Sequence, residues 1–109
     1  MQAGKLDQRI IIEGKNVSRS AIGEEVVSWQ TAVTTWAKVE PLRGREFFAA
    51  QQMQDAADYR ITIRYRPGLT RDMRVIWREQ CFDIVSVLEP FGAKKSLELM
   101  CIAGVRNGR

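Results

Sequence analysis

The chain has 109 residues, of which 45% are hydrophobic and 28% charged. This length suits a single domain, residues 1–109, with a modest core. The composition is typical of a soluble globular protein rather than a disordered one. With 17 Lys and Arg against 13 Asp and Glu, the net charge is +4. Because the basic residues are scattered, we interpret them as a solvated basic surface; contact with nucleic acid or an acidic partner is the alternative.

The sequence lacks the residues that several classes of protein need. It contains no histidine, which is the commonest general base and metal ligand, so we expect no enzymatic activity, no cofactor and no metal. No apolar run approaches the length of about 18 residues that a transmembrane helix needs, so no membrane contact is expected. The N-terminus lacks a secretory apolar region. Asp55 and Asp58 are spaced for one helix face, but two acids there more often form a solvated helix end than a metal site.

Two cysteines, Cys81 and Cys101, lie in strand-like segments without metal-ligand spacing. We therefore expect buried, reduced thiols in a protein of the cytosol, with a disulfide as the alternative.

Short alternating segments predict a mainly β chain of six or seven strands. We expect strands at 5–13, 25–29, 35–40, 59–66, 73–77, 81–88 and 96–103. In 81–88, the alternation puts Phe82, Ile84, Ser86 and Leu88 on one face. Residues 14–24 are rich in Gly, Ser and Asn and are interpreted as a mobile loop or a hairpin tip, and 30–34 as a connection. The ends, 1–4 and 104–109, are expected to be flexible. Since most connections are short, neighbouring strands should pair antiparallel, and closing the sheet into a small barrel would remove its open edges.

The clearest strand pattern lies at residues 59–66. Tyr59, Ile61, Ile63 and Tyr65 should face the core, while the alternating Arg60, Thr62, Arg64 and Arg66 face outwards. Pro67 and Gly68 then end the strand.

One helix is predicted at residues 45–57, a stretch of good helix formers without Gly or Pro. Phe47 and Phe48 are adjacent, so they cannot both point inwards from one helix. Either one of them caps the sheet and enters the core, or one stays outside as a docking anchor. For Trp29, Trp36 and Trp77, packing in the core or at the barrel rim is favoured over stacking on bases.

Nearly the whole chain resembles the head–tail joining proteins, also called head closure or stopper proteins, of long-tailed phages and prophages. The resemblance rests on the opening 4–10, the Trp29 segment, the long block 36–46, the stretch 49–52, the strand and turn at 61–70, and the pieces 73–75, 82–84 and 97–99. One departure is the turn before Phe82, which has no glycine here and leaves the hairpin type open.

This resemblance implies a small β-barrel with inserted segments and a structural role. Such proteins form a ring, dodecameric in the virion, below the portal and its adaptor; the ring closes the DNA-filled head and docks tail-terminator or tail proteins. The implied location is the virion head–tail connector, after assembly in the host cytoplasm. Residues 42–58 would reach the channel, close to double-stranded DNA, and 14–24 would touch neighbours or tail. The expected interface residues are Arg43, Arg45, Glu46, Phe47, Phe48, Gln51, Val17 and Ile22.

The alternative function is a small β-barrel nucleic-acid-binding module, suggested by the basic charge and by the arginines of residues 60–66. A single-strand binder presents aromatic side chains between the arginines of one sheet face. Tyr59 and Tyr65 instead share a face with Ile61 and Ile63, so the sequence favours the structural role.

Overall fold

The computed structural model describes residues 6–51, 57–90, 92 and 94–103. Six strands and one helix lie in these ranges: β1 (Gln8–Arg19), β2 (Glu25–Pro41), α1 (Gly44–Gln51), β3 (Tyr59–Arg64), β4 (Arg74–Trp77), β5 (Gln80–Leu88) and β6 (Ser96–Ala103). The predictions for residues 1–4, for 104–109 and for the later part of the helix, including Asp55, fall outside the described residues.

The six strands form a closed antiparallel barrel in the order β1-β2-β3-β6-β5-β4, with β4 paired to β1. The predicted small antiparallel barrel with one short helix is confirmed. The apolar faces of all six strands meet inside it. The buried core consists of Ile10, Ile12, Ala37, Ile61, Ile63, Val75, Phe82, Ile84, Leu97, Leu99 and Cys101.

The pattern predicted for β3 is found in the structure. Ile61 and Ile63 are core residues, and Tyr59 and Tyr65 are half-buried and pack against them. The Tyr59 ring also meets Phe82 edge to face, with centroids 4.9 Å apart. On the outer face, Arg64 and Arg66 are exposed. Arg60 is half-buried and pairs with Glu40, and Thr62 is buried rather than exposed.

Strand β2 is one continuous strand of 17 residues, where two strands and a connection were predicted. The predicted connection at 30–34 is therefore wrong. Residues 30–34 are polar and rich in threonine, but they continue the strand through a β-bulge. Ile12 pairs with Val33 and Glu13 with Thr31, so Ala32 is the extra residue. A bulge bends and twists a strand without ending it, and here it lets β2 leave the barrel as a paired strand.

Strand β1 is also longer than predicted and continues to Arg19, pairing with β2 as far as Arg19↔Glu25. Of the two interpretations of 14–24, the mobile loop is thus wrong and the hairpin is correct. Strand β4 pairs with β1 at three positions, Ile11↔Ile76, Ile12↔Val75 and Glu13↔Arg74, and this pairing ends at Glu13. Residues 14–30 therefore form a two-stranded ribbon that leaves the barrel, and we call this ribbon the hairpin arm. It accounts for the elongated shape, with extents of 50 × 27 × 26 Å.

A second bulge corrects the pattern predicted for β5. Ile84 pairs with Cys101 but Ser86 with Met100, so Val85 is the extra residue. After this bulge the inward and outward positions exchange: Val87 packs against the core and Leu88 is exposed, although the sequence pattern put Leu88 beside Phe82 and Ile84.

Candidate interaction surfaces

The tip of the hairpin arm, residues 20–24, is a well-formed turn. Ser20 N donates to Glu24 O at 2.8 Å, Gly23 N donates to Ser20 O at 3.0 Å, and Glu24 N donates to the Ser20 hydroxyl at 3.2 Å. Gly23 has a φ of +89°, which completes the three-residue hairpin loop with a left-handed residue that glycine adopts without strain. The Arg19 guanidinium also donates to Gly23 O at 3.0 Å. These contacts hold Ile22 at the apex, where it is 80% exposed.

The arm carries apolar side chains that its own residues leave uncovered. Val17 and Val27 are directly opposite each other in the register, so they form one exposed cross-strand pair. Val26, opposite Ser18, is exposed on the other face. An isolated two-stranded ribbon is marginally stable in water, and its exposed apolar side chains make the arm a candidate contact surface.

At its root the arm is fixed to the barrel by three side chains, Glu13, Trp29 and Arg74, which we call the arm-base cluster. Arg74 is 1% exposed, and its Nε donates to Glu13 Oε1 at 2.7 Å. Its guanidinium carbon lies 4.1 Å from the centroid of the Trp29 ring. The attraction between a cation and a desolvated indole contributes about 2 kcal/mol of stabilisation. Because the stack and the ion pair join the root of the arm to β4, they fix the arm at its base.

Helix α1 belongs to an excursion between β2 and β3. Leu42 N donates to Asp58 O, and Asp58 N donates to Cys101 O, each at 2.8 Å. The buried side chains of Leu42 and Ala57 flank this closure. The chain therefore leaves and returns at nearly the same point, so α1 projects from a fixed base.

The predicted interface residues near α1 differ in exposure. Arg43 and Arg45 are exposed, and so is Phe48, at 66%. Phe47 is half-buried, with its ring centroid 5.8 Å from that of Phe48, and neither ring belongs to the described core. The predicted alternative in which Phe47 or Phe48 packs in the core is therefore wrong for the described residues. Glu46 and Gln51 lie in α1, and the predictions about their side chains fall outside the described residues.

The structure divides the predicted interface residues into two groups at opposite ends of the barrel. Strand β2 starts at the arm, with Glu25, and ends at Pro41, directly before the α1 excursion. Val17 and Ile22 thus lie at one end and the α1 residues at the other. A continuous strand of 17 residues separates the two surfaces.

A third surface, which the sequence analysis did not assign, lies on the outer wall of the barrel. Trp36 is 50% exposed, so the prediction that it packs in the core or at the rim is wrong. Arg9 pairs with Trp36 across β1 and β2, and its guanidinium carbon lies 5.1 Å from the indole centroid. The recorded β2–β3 pairs end at Ala37↔Ile63. Extending this register by one residue makes Arg64 of β3 the neighbour of Trp36 on the side opposite Arg9. We call Arg9, Trp36 and Arg64 the Trp36 wall.

The other two tryptophans are shielded by the barrel. Trp77 packs against the core, and its Nε1 donates to Gln8 Oε1 at 3.1 Å. Trp29 is half-buried against Arg74. The exposure of Trp36 had a signal in the sequence, because it alternates with Ala37 and Val39 and shares its face with Lys38. The burial of Arg74 had no such signal in the sequence, because it depends on contact with Trp29, which is far from Arg74 along the chain.

The described residues contain no group of three or more His, Cys, Asp or Glu that could hold a metal ion. Cys81 and Cys101 are buried, reduced thiols, as expected. Burial raises the pKa of the Cys101 thiol, and the negative charge of Asp83 raises it further, so this thiol stays protonated at neutral pH. In the part of the chain that the structure describes, no helix has the length and apolarity needed to cross a bilayer.

The chain is similar to a curated phage protein and to two solved structures. The head completion protein gp16 of Bacillus phage SPP1 is 28% identical over 86 residues, which cover 79% of this chain and 77% of that protein. The solution structure of protein SF1141 from Shigella flexneri 2a superposes with a TM-score of 0.82 at 26% identity, covering 98% of this chain and all of that one. A chain of the virion of a native gene transfer agent shares the fold, with a TM-score of 0.63 at 16% identity over 92% of this chain and 98% of that one.

Residues 1–104 match the family described as phage head completion protein. This match spans all six strands, the arm and α1. The chain therefore belongs to the phage head completion proteins and is a structural component of the phage head.

Proposed function

We propose that the chain forms a ring beneath the portal and its adaptor, where it closes the DNA-filled head and provides the docking surface for the tail. The observation that carries this proposal is the placement of two protruding segments at opposite ends of a rigid barrel. A ring subunit between head and tail needs contacts with neighbours in the ring and with partners above and below it. The arm and the α1 excursion provide separate surfaces for these contacts.

The α1 excursion is the segment that we assign to the channel. Arg43 and Arg45 are exposed on it and have the charge to contact DNA phosphates without reading bases. Phe48 is an exposed apolar anchor on the same segment. The hydrogen bond from Leu42 to Asp58 closes the base, so a ring of such segments would narrow the channel at one level.

The partners in this proposal are other copies of the chain in a dodecamer, the portal and adaptor of the head, the tail-terminator and tail proteins, and nearby double-stranded DNA. The free chain should be a monomer or a weak small oligomer, because the barrel already buries its own core. A pre-existing portal–adaptor ring would hold neighbouring copies close and raise their effective concentration. Because the arm is an ordered hairpin, it needs little further ordering, so its contacts carry a smaller entropy cost than those of a mobile loop.

Deleting residues 45–55 tests this function. The barrel should still fold, because these residues contribute none of the described core. Heads that receive the deleted chain should lose DNA or fail to take tails, as judged by electron microscopy and by nuclease-protected DNA per head. Phe48→Ala is the milder variant and should cause a partial loss. Normal tailed particles from the deletion would contradict the proposed function. A stable free ring of the wild-type chain at micromolar concentration would contradict only its assembly on a pre-existing portal–adaptor ring.

Nucleic-acid binding by the barrel face is the second candidate function, and the exposed Trp36 beside Arg9 favours it. A stacking platform for single strands uses several exposed aromatics. On this chain, Tyr59 and Tyr65 pack against the core instead, and Trp77 does the same. This second function is therefore less well supported than the structural one.

A further inference from the structure

The Trp36 wall has the composition of a protein-binding surface. Tryptophan and arginine are the residues most enriched among those that dominate interface energies. Here one half-exposed indole lies between two exposed arginines on neighbouring strands. Such a surface fits an apolar side chain flanked by carboxylates, because the indole provides apolar contact and guanidinium groups bind carboxylates by charge-assisted hydrogen bonds.

The arm tip presents this combination. Ile22 is 80% exposed at the apex, and Glu24 and Glu25 follow within three residues and are both exposed. Arg19, the nearby cation, donates to Gly23 O inside the turn. An apolar apex with two adjacent carboxylates is complementary to an indole with two adjacent guanidinium groups.

The arm tip and the Trp36 wall of one molecule cannot meet. Glu25 and Trp36 lie on the same continuous strand, β2, eleven residues apart, which corresponds to about 35 Å of extended chain. The arm-base cluster also holds the arm away from the barrel. Any contact between the two surfaces therefore joins two molecules.

The arm is long enough to reach a neighbour. Its six paired positions, from Gly14↔Gln30 to Arg19↔Glu25, give it a length of about 20 Å beyond the barrel. The short dimensions of the molecule are 27 and 26 Å. Because barrel strands tilt against the barrel axis, an arm that continues two of them leaves at an angle and reaches towards a barrel packed alongside.

We propose that the arm tip of one copy docks on the Trp36 wall of the next copy of this chain. The inference rests on the proposed ring and names its lateral contact. The two surfaces differ, so the proposed contact is head-to-tail, the kind of contact that forms a ring when the rotation between successive copies closes. Ile22 lies on the Trp36 indole, and the tip carboxylates lie on the guanidinium groups of Arg9 and Arg64.

Charge exchange tests this contact. The tip variant carries Glu24→Arg and Glu25→Arg, and the wall variant carries Arg9→Glu and Arg64→Glu. Purified protein is added to heads assembled without this chain, and the number of copies bound per head is measured by quantitative mass spectrometry. Each variant alone should bind at least tenfold less than the wild type, because like charges then face each other. The two mixed in equal amounts, and the chain carrying all four substitutions, should regain binding, because opposite charges meet again at each contact.

Two controls make the outcome decisive. Arg66→Glu with Lys94→Glu changes the net charge as the wall variant does but leaves the three wall residues unchanged, and should bind as the wild type does. Ile22→Ser changes only the exposed apex and adds no charge, so it should keep the melting temperature of the wild type yet bind less. This variant still tests the contact if a charge variant fails to fold.

The results separate this contact from the proposed function. If folded tip and wall variants bind and close heads as the wild type does, or if mixing folded variants restores nothing, the contact is overturned while the ring stands. If the wall variant loses only binding to a single-stranded oligonucleotide, the wall is a nucleic-acid surface and the contact is again overturned. If the wild-type chain itself fails to restore DNA retention, the proposed function fails.

Discussion

Arg74 and Trp29 are stacked at the root of the hairpin arm, with the guanidinium carbon 4.1 Å from the centroid of the indole ring. Arg74 is almost fully buried on the outer side of β4, a position where strand alternation would place a solvated arginine. Among the described residues, neither Arg74 Nη1 nor Trp29 Nε1 has a hydrogen-bond partner. The stack and the ion pair with Glu13 therefore have to stabilise this arginine.

Replacing Arg74 by Ala should destabilise the protein by about 3 kcal/mol, because it removes a buried partner and leaves the Glu13 carboxylate half-buried and unpaired. Urea unfolding measures the loss. Arg66→Ala, on an exposed side chain, is the matched control and should stay within about 0.5 kcal/mol of the wild type. Equal effects of the two substitutions would show that the arm-base cluster contributes nothing to stability.

Two neighbouring residues of β3 should respond in opposite ways. Ile63 is fully buried in the barrel, so Ile63→Ala should cost about 2–5 kcal/mol through lost burial and a cavity. Arg64, the next residue, is exposed, and Arg64→Ala should change the free energy of unfolding by less than about 0.5 kcal/mol. Thermal melts of the two variants give the comparison, and the reverse order would mean that the register of β3 is wrong.

The turn between β4 and β5 stores backbone strain that glycine would relieve. Arg78 and Glu79 have φ values of +50° and +65°, in the left-handed region that β-carbon-bearing residues avoid. Since Trp77 pairs with Gln80, these two form a two-residue hairpin loop. Glu79→Gly should raise the free energy of unfolding by about 1 kcal/mol. Gln80→Gly, in the extended β5, is the control and should lower it; a loss of stability in both variants would contradict the strain.

The sequence predicted the parts of the fold that depend on local alternation. Ile61 and Ile63 in β3, and Leu97 and Leu99 in β6, lie in the core as the two-residue period requires. The prediction from sequence failed where a bulge inserts one residue and so interrupts the two-residue alternation of a strand. Ala32 joins two apparent strands into one, and no residue type marks that position as a bulge.

The candidate surfaces were predictable only in part. The exposed apolar residues of the arm and of α1 could be assigned to exposed segments, because their neighbours are polar. Predicting the Trp36 wall requires the register of β1, β2 and β3, which depends on long-range pairing. The local signal for it was the alternation of Trp36 with Ala37 and Val39. The burial of Arg74 depends on contact with Glu13 and Trp29, neither of which is near it in sequence.

Binding of DNA by the isolated chain should be weak, independent of sequence and lost at moderate salt. The net charge is only +4, and a channel contact that lets DNA slide cannot hold bases tightly. Filter binding over a range of salt concentrations measures this, with Trp36→Ala as the variant that would remove base stacking. A submicromolar dissociation constant in physiological salt with a preference for one sequence would favour the nucleic-acid-binding function instead.

Our main proposal is that this chain forms the ring that closes the head and receives the tail. A cryo-electron microscopy reconstruction of the neck of complete particles tests it most directly. We expect a ring of barrels between the portal–adaptor assembly and the tail, with the α1 ends lining the channel and each arm tip resting on the wall of the adjacent barrel. A neck without these barrels, in particles whose mass spectra show the chain elsewhere in the head or not at all, would contradict the account.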